Sequence, residues 1–263
     1  NTWDEDHFVR AFFENGQILG AYSNEECKID LISQAWAVIS MKQFDDVQDK
    51  LKKCLETADK YLVDRKVGIV KLLYPAFNNE SLDNPGYIRA YVPGIRENGG
   101  QYTHAAVWTI IAEAILGFGD KAIDLYRMIN PIEHSKTKEL ANKYKVEPYV
   151  VPADVYGQGN LAGRGGWTWY TGSSSWMYMA GVKYILGLNI ENGYLSFSPS
   201  VASGWKEYSI RFRFGESVYN IKFTNSNGKC VGVEKVVLNG ALVEDLKIKL
   251  DGSGGVHEVE VFM

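Results

Sequence analysis

The stretch Tyr208-Ser209-Ile210-Arg211-Phe212-Arg213-Phe214 alternates apolar and polar side chains without a break. Period-two alternation belongs to a strand with one buried and one wet face, and puts Arg211 and Arg213 on the solvated side. Residues 218–223, 234–238, 246–250 and 257–262 read as further strands. Turn residues separate them at Gly215-Glu216, at 225–228, at Asn239-Gly240 and at 251–255.

Upstream of about residue 190 the texture is different. A hairpin opens the chain, with His7–Phe12 facing Gln17-Ile18-Leu19 across Asn15-Gly16, a dipeptide that tolerates positive φ at both positions. Apolar residues then recur at helical spacing. Asn24-Glu25-Glu26 predicts a helix start, with an Asn cap and two acids suited to the helix dipole; Leu31, Ile32, Ala35, Trp36, Val38 and Ile39 follow on one face. Further helices are predicted over about 45–62, 103–117, 120–128, 134–144 and 172–187. Residues 67–100 form a long connection rich in Pro, Gly and Asn, and long ordered connections in compact domains are usually functional. The expected architecture is mainly α with a β domain, divided into residues 1–190 and 191–263.

Composition narrows the function classes. With 263 residues and 46% hydrophobic content the chain can bury a substantial core. The 28 basic and 32 acidic residues nearly cancel, so a nucleic-acid partner is not expected. No apolar run is long enough to span a bilayer, and no membrane contact is expected. Cys27, Cys54 and Cys230 are odd in number and widely spaced; they read as free thiols in a reducing, cytoplasmic compartment. They stand near no second Cys or His at ligand spacing, so no metal site is expected. The strand-like opening without an initiator Met gives the expectation of a segment cut from a longer chain.

Two motifs carry chemistry. Tyr91-Val92-Pro93-Gly94-Ile95-Arg96-Glu97-Asn98-Gly99-Gly100-Gln101-Tyr102-Thr103-His104 gathers a base, an acid, amides, flexible glycines and an imidazole just before a helix. Carboxylates and amides can hold sugar hydroxyls, aromatics can cover ring faces, and a helix start favours an anion. The plainer reading is a surface loop capped by Thr103. Gly163-Arg164-Gly165-Gly166-Trp167-Thr168-Trp169-Tyr170-Thr171-Gly172 also precedes a helix, where Thr171 and Gly172 could cradle an anion. The plainer reading there is an ordinary cap before a core-facing helix. The required Gly-Lys-Ser/Thr ending of a P-loop is missing, and Ser173-Ser174-Ser175 lacks the elbow of a serine hydrolase.

Together with Asn24-Glu25-Glu26-Cys27-Lys28-Ile29-Asp30-Leu31-Ile32-Ser33-Gln34 and Glu147-Pro148-Tyr149-Val150, these motifs resemble family 94 of the glycoside hydrolases, nearest the cyclic β-1,2-glucan synthase and β-1,2-oligoglucan phosphorylase branch. The resemblance covers residues 1 to about 190; the sheet region agrees only in position and kind. It implies the second half of an (α/α)6 toroid followed by a small antiparallel β-sandwich. It implies His104, Thr171 and Gly172 as phosphate-binding residues, and Tyr91, Arg96, Glu97, Gln101, Asp154 and Trp169 as sugar-binding residues. Ala153-Asp154 stands where cellobiose phosphorylases carry a donor-contacting glutamine, a departure from the disaccharide pattern. The family's general acid lies in an Asp-Trp-Asn-Asp motif, and this sequence contains none. The segment alone is therefore expected to be inactive, with no catalytic acid of its own.

The implied reaction is inverting phosphorolysis of a β-glucan or β-linked oligosaccharide, with inorganic phosphate as co-substrate and no cofactor. The implied partners are the N-terminal remainder of the enzyme and, through wet apolar faces, a second copy. Two other readings stay open at this point: a non-catalytic glycan-binding or scaffold domain, and an inverting hydrolase on a similar toroid.

Overall fold

The computed structural model describes residues 2–78, 85–169 and 171–263. Tyr170, part of the second motif, lies outside the described residues. Two compact units are present: residues 1–116 with 124–178, and residues 117–123 with 179–263.

In the first unit, helix α1 runs Leu31–Met41 and not from Asn24. The reason is local. Cys27 takes a left-handed φ of 47°, and Ile29–Asp30 is a short strand paired antiparallel with Leu73–Tyr74, so no helix can begin before Asp30. Asp30 then caps the helix, its carboxylate accepting the Ile32 N–H at 2.8 Å. Asn24 closes a turn instead, accepting from Ala21 N and donating to Ile18 O. Helix α2, Gln48–Leu62, falls within the helix predicted over about 45–62 and buries Leu51, Cys54, Leu55, Ala58 and Leu62 at helical spacing. Ala37, Val38, Leu51, Cys54, Leu55 and Ala112 form one apolar cluster, the last contributed by helix α3, Thr103–Ile115.

Helix α4 spans Gly119–Met128. The single helix predicted over 134–144 is two: α5, Pro131–Ser135, and α6, Lys138–Tyr144. Thr137 is extended and spends its hydroxyl capping the Leu140 N–H, which ends one helix and starts the next. The last predicted helix is α7, Ser173–Met179, continued by a π-helical stretch Ala180–Ile185.

In the second unit, strand Glu207–Phe214 pairs with Ser217–Thr224 as the alternation predicts, and Arg211 and Arg213 are exposed. The expectation of a purely antiparallel domain needs one correction. Ser217–Thr224 and Gly255–Phe262 pair in parallel, at the centre of a five-stranded sheet. Thirty residues pass between those two strands (225–254), room for the crossover that a parallel pairing requires. An additional hairpin, not among the predicted strands, pairs Leu188–Glu191 with Tyr194–Phe197 and turns at Asn192-Gly193, both at positive φ. It joins Lys247–Lys249 in a three-stranded sheet, and both sheets contribute to one core that includes Leu195, Ile248, Tyr219, Phe223 and Val261.

Candidate active site

Asn98 sets the shape of the loop before α3. It is fully buried. Its Oδ1 accepts the Phe77 N–H at 2.7 Å, and its Nδ2 donates to Phe77 O at 2.8 Å and Tyr91 O at 2.7 Å. Gly94 N donates to Asn98 O, which closes the loop on itself. Gly94 has φ +85° and Gly99 φ +79°, conformations that cost a side-chain-bearing residue about 1 kcal/mol or more. Arg96, between them, also takes a positive φ of 47°. The loop thus presents Arg96 and Glu97 outward from a rigid base.

After the loop, Gln101–Tyr102 pairs with Asp154–Val155. Ala153 O accepts the Thr103 N–H, and Ala153 N donates to Trp167 O at 2.7 Å. These contacts bring distant segments around a cavity of about 210 Å³ lined by Arg96, Glu97, Tyr102, Ala153, Asp154 and Trp167. The Arg96 guanidinium lies 5.5 Å from the Tyr91 ring centroid and 6.0 Å from that of Trp167, within cation–π reach. Tyr102 and Trp167 belong to the two sequence motifs but are not among the residues that the resemblance assigns to the sugar. Gln101 does not line the cavity: it is buried, takes the Val70 N–H on Oε1 and donates to Thr103 Oγ1. Its amide braces the strand that the cavity is built on.

Asp154 is the buried acid of the site. Its Oδ1 accepts the Trp167 N–H at 2.9 Å, while Oδ2 is buried without a hydrogen-bond partner among the described residues. A methyl group at Gly166 would overlap both carboxylate oxygens, so the close approach there requires glycine. Desolvation raises the Asp154 pKa; Glu97 adds to the rise, while the Trp167 amide and the Arg96 charge oppose it. The folded state therefore favours the protonated acid. That contribution is complete below the unfolded value of about 3.9 and is lost as pH rises through the elevated folded value. Asp154→Asn removes the titration, so the variant should gain stability relative to the parent between pH 4 and pH 7. Denaturant midpoints at the two pH values measure it, and a constant difference between the proteins would refute the assignment.

His104 lies in the first turn of α3, stacked on Tyr102 at 5.2 Å between ring centroids and 5.9 Å from Trp108. Burial lowers its pKa below the ordinary histidine value, so the neutral imidazole dominates at neutral pH. Nδ1 is buried without a partner among the described residues, and Nε2 points at Gly172: a Cβ added there would sit 3.2 Å from it. Thr171 precedes α7, its hydroxyl 2.8 Å from Ser173 Oγ and accepting the Ser173 N–H. His104 and the Thr171-Gly172 turn thus stand together, and Tyr102 connects them to the cavity wall. A neutral imidazole at the start of a helix offers one N–H donor to a small anion.

Trp169 sits apart from the cavity lining. It is 63% exposed, has φ 71°, and donates its indole N–H to Glu147 Oε1 at 3.3 Å. Tyr149 meets it edge-on at 6.4 Å. Among the described residues no group of three or more His, Cys, Asp or Glu side chains could hold a metal ion, and no helix is long and apolar enough to cross a membrane.

Residues 1–187 match the family model of the glycosyl hydrolase 94 superfamily, catalytic domain. Over 225 residues the chain is 41% identical to cyclic beta-(1,2)-glucan synthase NdvB of Rhizobium meliloti, an alignment covering 86% of this chain and 8% of that protein. It is 30% identical to solabiose phosphorylase of Paenibacillus borealis, with 100% of this chain and 33% of that protein covered. It is 28% identical to N,N'-diacetylchitobiose phosphorylase of Vibrio furnissii, with 96% and 31% covered. The chain therefore spans about a third of the phosphorylases it matches and a much smaller part of the glucan synthase.

Proposed function

Because this chain belongs to the glycosyl hydrolase 94 superfamily, we propose that it is the C-terminal portion of an inverting β-glucan phosphorylase or cyclic β-1,2-glucan synthase. In this reading residues 1–190 supply the second half of an (α/α)6 toroid, and residues 191–263 a small β-sandwich after it. His104, Thr171 and Gly172 hold phosphate. Tyr91, Arg96, Glu97, Asp154 and Trp169 face the sugar, with Gln101 bracing them from behind. The general acid is an Asp on the N-terminal remainder of the cytoplasmic enzyme, so this segment alone is inactive.

The observation that carries the reading is Nε2 of His104 facing Gly172 beside an aromatic, carboxylate-lined cavity. A phosphate oxygen attacks the anomeric carbon as the bond to the glycosidic oxygen breaks. The Asp proton passes to that oxygen, and the anomeric configuration inverts. Phosphate takes the place of the water that an inverting hydrolase activates, so no second carboxylate is needed as base. The imidazole N–H and the turn at Thr171-Gly172 offset charge on the phosphate as it reacts.

The test is the full-length enzyme with β-1,2-linked glucan and phosphate. Release of α-glucose 1-phosphate is expected, together with a raised KM for phosphate in Gly172→Ala, whose methyl group would crowd His104 Nε2. Free reducing sugar without sugar phosphate would establish a hydrolase instead.

A further inference from the structure

The Tyr149–Trp169 pair lies outside the cavity, and its geometry is unlike that of core aromatics. The two rings are 76% and 63% exposed and meet at an interplanar angle of 68°. Positive φ is a genuine outlier for a residue as bulky as tryptophan, and such strain persists only where the surroundings hold it. Part of that hold is the hydrogen bond from the indole N–H to Glu147. The result is a pair of aromatic faces with restricted orientation and a carboxylate at their edge.

The pair is continuous with the cavity. Ala153 and Trp167, both on the cavity wall, are joined by the bond from Ala153 N to Trp167 O. Tyr149 and Trp169 belong to the same two segments, four residues before Ala153 and two after Trp167, and both are exposed. Only Thr168 stands between Trp167 and Trp169, a span of no more than about 7 Å, comparable to one sugar residue. The chemistry of the patch also selects among occupants. Burying Glu147 in an apolar protein contact would leave a carboxylate poorly solvated, which is costly. A glycan satisfies it with hydroxyls while its C–H faces cover the rings, and water can remain between them.

We propose that Tyr149, Trp169 and Glu147 form an outer subsite that stacks a sugar residue of a glycan chain beyond the unit held in the cavity. The site then favours oligosaccharides over disaccharides. This rests on the sugar-phosphorylase reading above, and the test separates the two. In the full-length enzyme, kcat/KM is measured on β-1,2-linked glucans from disaccharide to hexasaccharide, for the parent, Tyr149→Ala, Trp169→Ala and Trp169→Phe. The ratio of kcat/KM on long chains to that on short ones should fall about 10-fold in the alanine variants and be largely kept in Trp169→Phe. An unmoved ratio overturns the subsite, whether activity is intact throughout, as it would be if protein covers the rings, or lowered equally on all lengths. Should the parent show no phosphorolysis, the functional reading fails but the subsite does not. Affinity electrophoresis through a β-1,2-glucan gel then decides: retardation of the parent that is lost in Tyr149→Ala supports it, and no retardation of the parent overturns it.

Discussion

Replacing His104 by alanine in the full-length enzyme should lower phosphorolysis by about 10²–10³-fold, the cost of removing one well-placed donor from developing charge. The imidazole is not a free surface group. It is stacked on Tyr102, packed near Trp108 and aimed at Gly172, so its orientation is set before any anion arrives. Preorganisation of this kind carries little reorganisation cost, which is why its loss should appear in kcat as well as in KM for phosphate. Affinity for the glycan, measured without phosphate, should change little. A variant that loses glycan binding and phosphate use equally would show that His104 supports the fold and not the anion. His104→Asn keeps a neutral donor on a shorter side chain and should recover part of the rate.

Asn98→Ala should be among the most damaging substitutions to stability in the first unit. It strands the buried Phe77 N–H and carbonyl and the part-buried Tyr91 carbonyl. Each unsatisfied buried group costs about 1–3 kcal/mol, so roughly 3 kcal/mol or more is expected in total. Chemical denaturation of parent and variant measures the loss, and hydrogen exchange should show reduced protection at the Phe77 and Gly94 amides. Asn98→Asp keeps the acceptor for Phe77 N but cannot donate to the two carbonyls, so it should be comparably damaging at neutral pH. A loss under about 1 kcal/mol for the alanine variant would mean that the loop is held by its glycines alone. Since the same loop presents Arg96 and Glu97, sugar binding should weaken along with stability.

Periodicity and turn chemistry were legible in the sequence because they are local. The apolar face of α2, the alternation of Glu207–Phe214 and the turn at Asn239-Gly240 depend on neighbours a few residues away. The hairpin at Asn192-Gly193 carries the same dipeptide signal as Asn15-Gly16 but adjoins the end of a helix, which masks it; at Asn15-Gly16 only Ala11–Phe12 and Ile18–Leu19 pair, while His7–Phe8 pairs instead with Trp3–Asp4. The sequence misplaces the start of α1 because Asn24 is a good cap by composition, whereas Asn24 lies in a turn and the pairing of Ile29–Asp30 with Leu73–Tyr74 holds a strand in place before the helix begins.

From the sequence alone came the helical and sheet regions, the family resemblance and the two motifs that meet at the candidate site. Only the tertiary structure decided that Gln101 turns inward, that Tyr102 and Trp167 line the cavity, that Asp154 keeps an unpartnered oxygen, and that His104 faces Gly172. The physical reason is the range of the forces involved. Helix and strand periodicity is written in adjacent residues, but the burial and orientation of a polar side chain depend on hydrogen bonds such as Asn98 to Phe77 and Asp154 to Trp167. Those bonds join segments that are neighbours only once the chain has closed on itself.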